Sequence, residues 1–266
     1  DLKSAGDRNE FHLVFQPIVR LDDRKIDGFE ALLRWEHHEL GPVSPAEFIP
    51  LAEESGLIGS IGEWVAREAS KVAAEWPEAM RLSINLSPRQ FDEPNLAATL
   101  LSILAENRLA PNRLTVEITE TALIENDGAA LSAIEHLRAQ GVRVALDDFG
   151  TGFASLSYLT RFPFDVVKID QSFVRRGDRH RQDNLVIESI CDLAEKLGLD
   201  TVAEGIETQD HLRRVRRAGC KRAQGYLFGR PGTPADCATR IALQSFEAAS
   251  PSPSVHRAVG KNMSRA

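Results

Sequence analysis

The chain has 266 residues, of which 42% are hydrophobic and 27% are charged, and its formal net charge is −7. The acidic balance argues against general nucleic-acid binding, which depends on basic surface that neutralises phosphates. No apolar stretch reaches the roughly 18 residues that span a bilayer, and the polar start lacks the apolar core of a signal peptide. The sequence therefore predicts a cytoplasmic enzyme-like domain with no membrane segment, or a cytoplasmic part of a larger chain.

The cysteines and histidines give no sign of a disulfide framework or a zinc site. Cys191, Cys220 and Cys237 are odd in number and show no paired spacing, which is typical of reduced thiols. The adjacent pair His37 and His38 falls in a polar segment, where a solvated turn is favoured over metal ligation.

Short apolar runs alternate with amphipathic helical runs along the whole chain, as in βαβ units with a mainly parallel sheet. The first two runs are separated only by Leu21 to Lys25, too few residues for a crossover helix, so they should pair antiparallel. The predicted fold is therefore α/β, a TIM-like (β/α)8 barrel with one antiparallel strand, for which this length is suitable. The predicted strands lie near His12–Val19, Lys25–Arg34, Arg81–Leu86, Leu114–Ile118, Val142–Asp147, Asp165–Ile169, Thr201–Glu204 and Lys221–Leu227.

Helix signals occupy the gaps between these runs. Ser44 to Glu47 forms a capping box with proline at the first helical position, and Gly198 ends an amphipathic helix. Residues 1–10 are predicted to be a linker from an upstream domain, and 11–247 to be the folded domain. Residues 248–266, rich in Ser, Pro and basic side chains, are predicted to be a flexible tail.

Polar side chains recur within or at the carboxyl ends of the predicted strands. A single Asp or Glu there is usually a helix cap or turn residue. Seven strands with this feature favour a shared site, because the carboxyl ends of barrel strands meet at one mouth. The side chains are Glu30, Asn85, Glu117, Asp147 with Asp148, Lys168 with Asp170, Glu204 and Gln224.

Closely packed buried carboxylates repel one another unless a cation joins them. Oxygen ligands without thiolate or imidazole suit Mg²⁺ or Mn²⁺, and there are enough of them for two ions. Two nearby signals stay open. Gly150 to Gly152 could form a phosphate nest or a tight turn. Arg34 shares a strand face with Glu30 and Leu32, and could bind phosphate or simply pair with Glu30.

The ordered motifs resemble those of EAL-domain c-di-GMP phosphodiesterases over about residues 11 to 245. Departures are mild and include Arg20, His38 and the segment Phe153 to Ser155. The matching segments are Gln16-Pro17-Ile18-Val19, Glu30-Ala31-Leu32-Leu33-Arg34-Trp35, Phe48-Ile49-Pro50, Asn85-Leu86-Ser87, Glu117-Ile118-Thr119-Glu120, Asp147-Asp148-Phe149-Gly150-Thr151-Gly152, Lys168-Ile169-Asp170, Ala203-Glu204-Gly205-Ile206-Glu207 and Gln224-Gly225-Tyr226.

This resemblance implies hydrolysis of cyclic di-GMP to linear pGpG with two Mg²⁺ or Mn²⁺ ions. It also implies a role for each matching residue, and these implied roles fall into four groups. One ion would be held by Glu30, Asn85, Glu117 and Asp147, and the other by Asp147, Asp148 and Glu204. Lys168 would act on the attacking water, and the other catalytic residues would be Glu30, Asp147 and Glu204. The residues that contact the substrate or orient the site would be Gln16, Leu32, Arg34, Asp170 and Gln224, and the supporting residues would be Glu120 and Glu207.

The resemblance further implies a homodimer formed through the loop at residues 148–158, and a sensor or GGDEF-type domain upstream. Two alternatives stay open. One is a catalytically weak c-di-GMP receptor or regulatory platform, and the other is a metal-dependent barrel hydrolase with a different phosphate substrate. Because Ca²⁺ accepts looser coordination than Mg²⁺, we expect it to support turnover poorly.

Overall fold

The computed structural model describes residues 1–6, 8–120, 127–150, 156–175 and 181–249. Within those ranges nine strands form one sheet, and eight of them coincide with the predicted runs. They are β1 (Phe11–Arg20), β2 (Ile26–His37), β3 (Gly41–Val43), β4 (Arg81–Leu86), β5 (Leu114–Thr119), β6 (Arg143–Phe149), β7 (Val166–Ile169), β8 (Asp200–Ala203) and β9 (Arg222–Gln224).

The sheet closes into an eight-stranded barrel. Its order is β1-β9-β8-β7-β6-β5-β4-β2-β3, and β1 also pairs with β2, which joins the two sides. Strand β1 runs antiparallel to both of its neighbours, β2 and β9. The other neighbouring pairs of the barrel are parallel: β2–β4, β4–β5, β5–β6, β6–β7, β7–β8 and β8–β9. The predicted barrel with one antiparallel strand is therefore confirmed.

Helices in the described ranges cover the outside of the barrel. None of them is long and apolar enough to cross a membrane. They are α1 (Leu2–Ala5), α2 (Pro45–Glu54), α3 (Ile58–Ala74), α4 (Leu96–Glu106), α5 (Asp127–Ala139), α6 (Leu156–Arg161), α7 (Gln171–Arg175), α8 (Arg181–Leu197), α9 (Gln209–Arg217) and α10 (Pro234–Ala249), with 3-10 turns at Pro88–Asp92 and Pro111–Arg113.

Local sequence explains where helix α2 begins and how it packs. The backbone N–H of Ser44 donates to the Glu47 carboxylate at 3.2 Å, so this N–H, which has no backbone acceptor within the helix, is hydrogen-bonded. Phe48 is fully buried on the inner face and packs edge-on against Trp35, with ring centroids 5.7 Å apart. Helix α1 joins the same cluster through Ala5. The described part of residues 1–10 thus lies against the barrel, while the boundary at residue 11 stays a prediction.

The base of the barrel, at the amino ends of the parallel strands, is closed by ion pairs. Asp27 has a side chain only 7% exposed, and its carboxylate contacts three guanidinium groups. Arg222 lies 2.6 Å away, Arg81 3.3 Å away and Arg20 3.4 Å away. These contacts join β1, β2, β4 and β9 where the hairpin closes the barrel, so they stabilise the end opposite the predicted site.

The structure differs from the sequence-based prediction at three places. Strand β3 was not predicted, because three residues with Gly and Pro give no period to detect. Strand β9 ends at Gln224, before the predicted end at Leu227, and the next residue, Gly225, comes so close to the Ile206 backbone that a Cβ there would lie 2.3 Å from it. The solvated turn predicted for the histidine pair is wrong for His37, which is 3% exposed at the end of β2 and stacks on His38.

The three cysteines fit the prediction of reduced thiols. Cys191, Cys220 and Cys237 are free and buried. They contribute to the packed interior around the barrel.

Candidate active site

The predicted strand-end side chains meet at one mouth of the barrel. A cavity of about 250 Å³ opens there, and its lining includes Gln16, Glu30, Asp147 and Glu204. These residues lie on β1, on β2, on β6 and just after β8, so the closed sheet brings together positions far apart in the sequence. The convergence that barrel geometry predicts is therefore observed.

Lys168 occupies the centre of this cluster and is 1% exposed. Its ammonium lies among four carboxylates that the sequence analysis assigned to metal binding. The distances from Nζ are 2.5 Å to Glu117, 2.7 Å to Glu204, 3.2 Å to Asp147 and 3.7 Å to Glu30. A single ammonium cannot neutralise four carboxylates, so the cluster is short of positive charge.

The pKa values of the buried side chains in the cluster reflect this shortage of positive charge. Burial, followed by the charges of Asp147 and Glu30, raises the pKa of Glu204 to about 8, although Lys168 opposes the shift. Burial also raises the pKa of Glu117 well above its ordinary value. Burial alone would lower the pKa of Lys168, but the surrounding carboxylates hold it well above its usual range. The site therefore retains the lysine charge and makes ionised carboxylates costly.

Glu30 behaves differently, because it has two amide partners besides the lysine. Asn85 Nδ2 donates to one carboxylate oxygen at 2.7 Å, and Gln224 Nε2 donates to the other at 2.7 Å. Burial would raise the pKa of Glu30, but Lys168, Gln224 and Asn85 together bring it below its ordinary value. Since the Asn85 amide nitrogen faces Glu30, its amide oxygen is the atom left for a cation.

Gln224 also ties the first strand to the site. Its Nε2 donates to Gln16 Oε1 at 3.0 Å as well as to Glu30. Its Oε1 is buried and has no hydrogen-bond partner among the described residues. A buried acceptor without a donor is costly, so this oxygen is available to a water molecule or a ligand.

The adjacent acids Asp147 and Asp148 both reach the site because the strand is irregular there. The pairing of β6 with β7 shifts register between Leu146 and Phe149, and Asp148 has a φ of 54°. Such bulges redirect side chains next to active sites. Asp147, Asp148 and Glu204 consequently offer oxygen atoms within 4.8 Å of one another. Burial and the charges of Asp147 and Asp170 raise the pKa of Asp148 to about 6.

Arg34 lies beside the cluster without an acidic partner. Leu32 and Arg34 line an adjoining groove of about 450 Å³, and the Arg34 guanidinium donates to the Leu33 carbonyl at 2.8 Å. In the part of the chain that the structure describes, no carboxylate pairs with Arg34. The alternative of a Glu30–Arg34 ion pair is therefore not observed. Burial lowers the pKa of Arg34, and the more distant charges of Tyr226 and Glu30 oppose this shift without cancelling it.

The predicted supporting residues have defined contacts. Glu120 accepts from the backbone N–H of Gly150 at 3.0 Å and so fixes the chain after Asp148. Asp170 accepts from the Ser172 N–H at 2.9 Å, which is the helix-cap role that a strand-end Asp commonly has. A substrate contact for Asp170 stays a prediction. The segment 151–155, which includes most of Gly150 to Gly152, lies outside the described residues.

Sequence reasoning missed two side chains that line the mouth. Gln171 and Arg175 come from α7, the short helix after Asp170. Their positions follow a strand end, but side chains on a five-residue helix give no periodic signal. Arg175 pairs with Glu207 at the rim of the mouth, at 2.6 Å between Nη2 and Oε1.

Comparison with known proteins places the chain in a family. The model of the EAL domain matches residues 1–231. The chain belongs to the EAL domain family. Its strand-end acids, central lysine and reversed first strand are thus features of an EAL domain, which confirms the resemblance drawn from the motifs.

Curated relatives of this EAL domain are longer proteins. An uncharacterized signaling protein of Caulobacter vibrioides is 44% identical over 239 residues, which cover 90% of this chain and 29% of that protein. The bifunctional diguanylate cyclase/cyclic di-GMP phosphodiesterase MucR of Pseudomonas aeruginosa is 39% identical over 235 residues, covering 87% of this chain and 34% of that protein. The chain therefore spans about a third of the length of these relatives.

A solved structure shares the fold closely. The PaMucR phosphodiesterase in complex with c-di-GMP superimposes with a TM-score of 0.85 at 38% sequence identity. The match covers 89% of this chain and 98% of that chain.

Proposed function

We propose that this EAL domain is a metal-dependent phosphodiesterase that hydrolyses cyclic di-GMP to linear pGpG. One observation carries the proposal: four carboxylates, from within or just after four different strands, surround the buried ammonium of Lys168 at the barrel mouth. The likeness to a phosphodiesterase structure that contains c-di-GMP supports the choice of substrate. This activity would lower the concentration of the second messenger.

The donor set fits divalent cations such as Mg²⁺ or Mn²⁺. The raised pKa of Glu204, about 8, indicates carboxylates that lack enough positive charge in the protein alone. Oxygen ligands of this type suit hard cations. We assign Glu30, Asn85, Glu117 and Asp147 to one ion, and Asp147, Asp148 and Glu204 to a second. Bound ions would activate a water molecule and neutralise charge on the scissile phosphate.

The chain's own residues would bind and orient the reactants. Lys168 lies within reach of both carboxylate sets, so it is suited to orient or polarise the attacking water. Arg34, which has no acidic partner in the described structure, is suited to bind a phosphate oxygen. Gln224 holds Glu30 and Gln16 in place, and its Oε1, which has no partner among the described residues, can accept from a bound water. Attack in line on phosphorus would release the ribose 3′ oxygen.

A product assay tests the proposal directly. Purified protein is incubated with c-di-GMP and either Mg²⁺ or Mn²⁺, and the nucleotides are separated by chromatography. Linear pGpG that requires the divalent ion is the expected result. Binding of c-di-GMP without a linear product would support the receptor alternative, and hydrolysis of other phosphodiesters alone would support a different barrel hydrolase.

An Asp147→Asn variant tests the shared ligand in the same assay. Loss of most turnover is expected, because one carboxylate serves both proposed ions. Undiminished turnover would remove Asp147 from that role.

We further propose that the domain acts in the cytoplasm, within a longer chain that carries a sensor or GGDEF-type domain upstream. The coverage of about a third of MucR supports a multidomain context. A homodimer formed through residues 148–158 also stays a proposal, since residues 151–155 lie outside the described ranges. Sedimentation of the purified chain would test the dimer.

A further inference from the structure

Arg175 stands at the rim of the active-site mouth. It belongs to the lining of the 250 Å³ cavity that also contains Glu204 and Gln224. Its side chain is 47% exposed, and its guanidinium lies 2.6 Å from the Glu207 carboxylate. The residue is therefore open to a ligand on one side and paired on the other.

The backbone beside Glu204 is shaped to accept this arginine. Gly205 has a φ of +66°, and a Cβ there would lie 2.5 Å from Gln171 Cβ and 3.6 Å from Arg175 Nε. A side chain at position 205 would push helix α7 away. The glycine thus lets the Arg175 guanidinium lie over the loop that connects Glu204 to Glu207.

The charge balance of the cavity gives Arg175 a distinct position. Among the described residues that line it, the cationic side chains are Lys168 and Arg175, whereas Glu30, Asp147, Glu204 and Glu207 are acidic. Lys168 is buried and already contacts four carboxylates. Within the described part of the chain, Arg175 contacts one carboxylate and is half exposed, so it is the cation in this lining that can receive a further anion.

The proposed substrate carries two phosphodiester groups, and only one of them is cleaved at a time. We infer that Arg175 is a substrate-binding residue that receives the second, uncleaved phosphate and exchanges its contact with Glu207 for it. This inference rests on the proposed function. An exposed Glu–Arg pair contributes little by itself, whereas a guanidinium–phosphate contact is charge-assisted and geometrically matched.

An Arg175→Gln variant separates binding from chemistry. For c-di-GMP we expect KM to rise about tenfold with kcat nearly unchanged, as for the loss of one charge-assisted hydrogen bond. For bis(p-nitrophenyl) phosphate, which has a single phosphodiester, the variant should match the wild type. An equal loss on both substrates, or no change in KM for c-di-GMP, would overturn the inference.

Two further variants distinguish substrate contact from a structural brace. Glu207→Gln removes the carboxylate that competes for Arg175, so KM for c-di-GMP should fall. If the Arg175–Glu207 pair only stabilises the local structure, KM should instead rise, as in Arg175→Gln. Arg175→Lys, which keeps the charge without the planar fork, should give an intermediate KM. Arg67→Gln is the matched control, because Arg67 is an exposed arginine paired with Glu106 away from the mouth.

The outcome also separates this inference from the proposed function. If the wild type hydrolyses neither substrate with Mg²⁺ or Mn²⁺, the proposed function fails. If the wild type turns over c-di-GMP but Arg175→Gln leaves its KM unchanged, only the role of Arg175 fails.

Discussion

The Lys168 ammonium lies 2.5 Å from the Glu117 carboxylate, and both residues are almost completely buried. Such a pair is stable in the interior only when its remaining charges are compensated. Three further carboxylates around the lysine leave the cluster with excess negative charge. A cation from outside is the simplest complement.

Replacing Lys168 by Met should abolish most turnover of c-di-GMP. The variant loses the group proposed to act on the attacking water, and a positioned acid or base contributes about 10²–10⁴-fold. Affinity for Mn²⁺ should rise, because the ammonium no longer competes for the same carboxylates. Steady-state kinetics and the electron paramagnetic resonance signal of free Mn²⁺ measure the two effects.

Lys71→Met serves as the control for that substitution, since Lys71 is an exposed lysine paired with Glu68 at 2.6 Å. It should leave both turnover and Mn²⁺ affinity unchanged. Near-normal turnover in the Lys168 variant would contradict the assigned role.

Metal affinity should increase with pH between about 6 and 8. The pKa of Asp148 is about 6 and that of Glu204 about 8, so each carboxyl is protonated below its value and must release the proton to bind a cation. Calorimetric titration of Mn²⁺ in buffers of different ionisation enthalpy would measure both the affinity and the protons released. Glu204→Gln should remove the upper part of the pH dependence.

The raised pKa of Glu204 also determines the direction in which the stability of the metal-free protein changes with pH. Folding raises the pKa of Glu204 from an ordinary 4.5 to about 8, so the folded state binds more protons in that interval. The metal-free protein should therefore lose stability as pH rises through it, and a saturating divalent ion should remove the loss. A denaturation midpoint in EDTA that is independent of pH would contradict this prediction.

Asp27→Asn should destabilise the fold. The substitution leaves Arg20, Arg81 and Arg222 without their shared carboxylate at the base of the barrel. Removing one partner of a buried ion pair costs about 3–5 kcal/mol, and partial exposure of the arginines places the expected value near the lower figure. Urea denaturation measures it, with Asp210→Asn as the control for an exposed Asp–Arg pair.

Calcium should bind at the mouth but support little hydrolysis. Its larger radius and variable coordination do not enforce the compact arrangement of ligands around water and phosphate. Protection against thermal unfolding by Ca²⁺, together with slow release of pGpG compared with Mg²⁺, is expected. Full activity in Ca²⁺ alone would argue against a tightly coordinated pair of ions.

The barrel could be predicted because its strands and its hairpin are visible in short, continuous segments of the sequence. Each buried strand is a short apolar run, and the five residues from Leu21 to Lys25 require a hairpin. The convergence of Glu30, Asn85 and Glu117 followed from their places at strand ends. Their detailed contacts did not follow, since the sequence cannot show that Lys168 lies among the acids or that Gln224 faces Glu30.

Other features were hidden because they depend on pairing between distant segments. The contact of Asp27 with Arg222 joins residues at opposite ends of the chain, and many acids and arginines were equally eligible. The interaction of Arg175 with Glu207 depends on a loop conformation set by Gly205. The burial of His37 follows from β2 extending beyond the predicted strand to pair with the short β3.

The lysine at the centre of the acidic cluster also bears on how the protein matures. In a newly synthesised chain the ammonium would supply part of the positive charge that the carboxylates require, so the barrel could close before an external ion completes the balance. If the proposed ions bind, they would take over contacts that the side chain already holds. Scarcity of divalent ions would leave a folded but idle protein that can be recruited when the supply recovers.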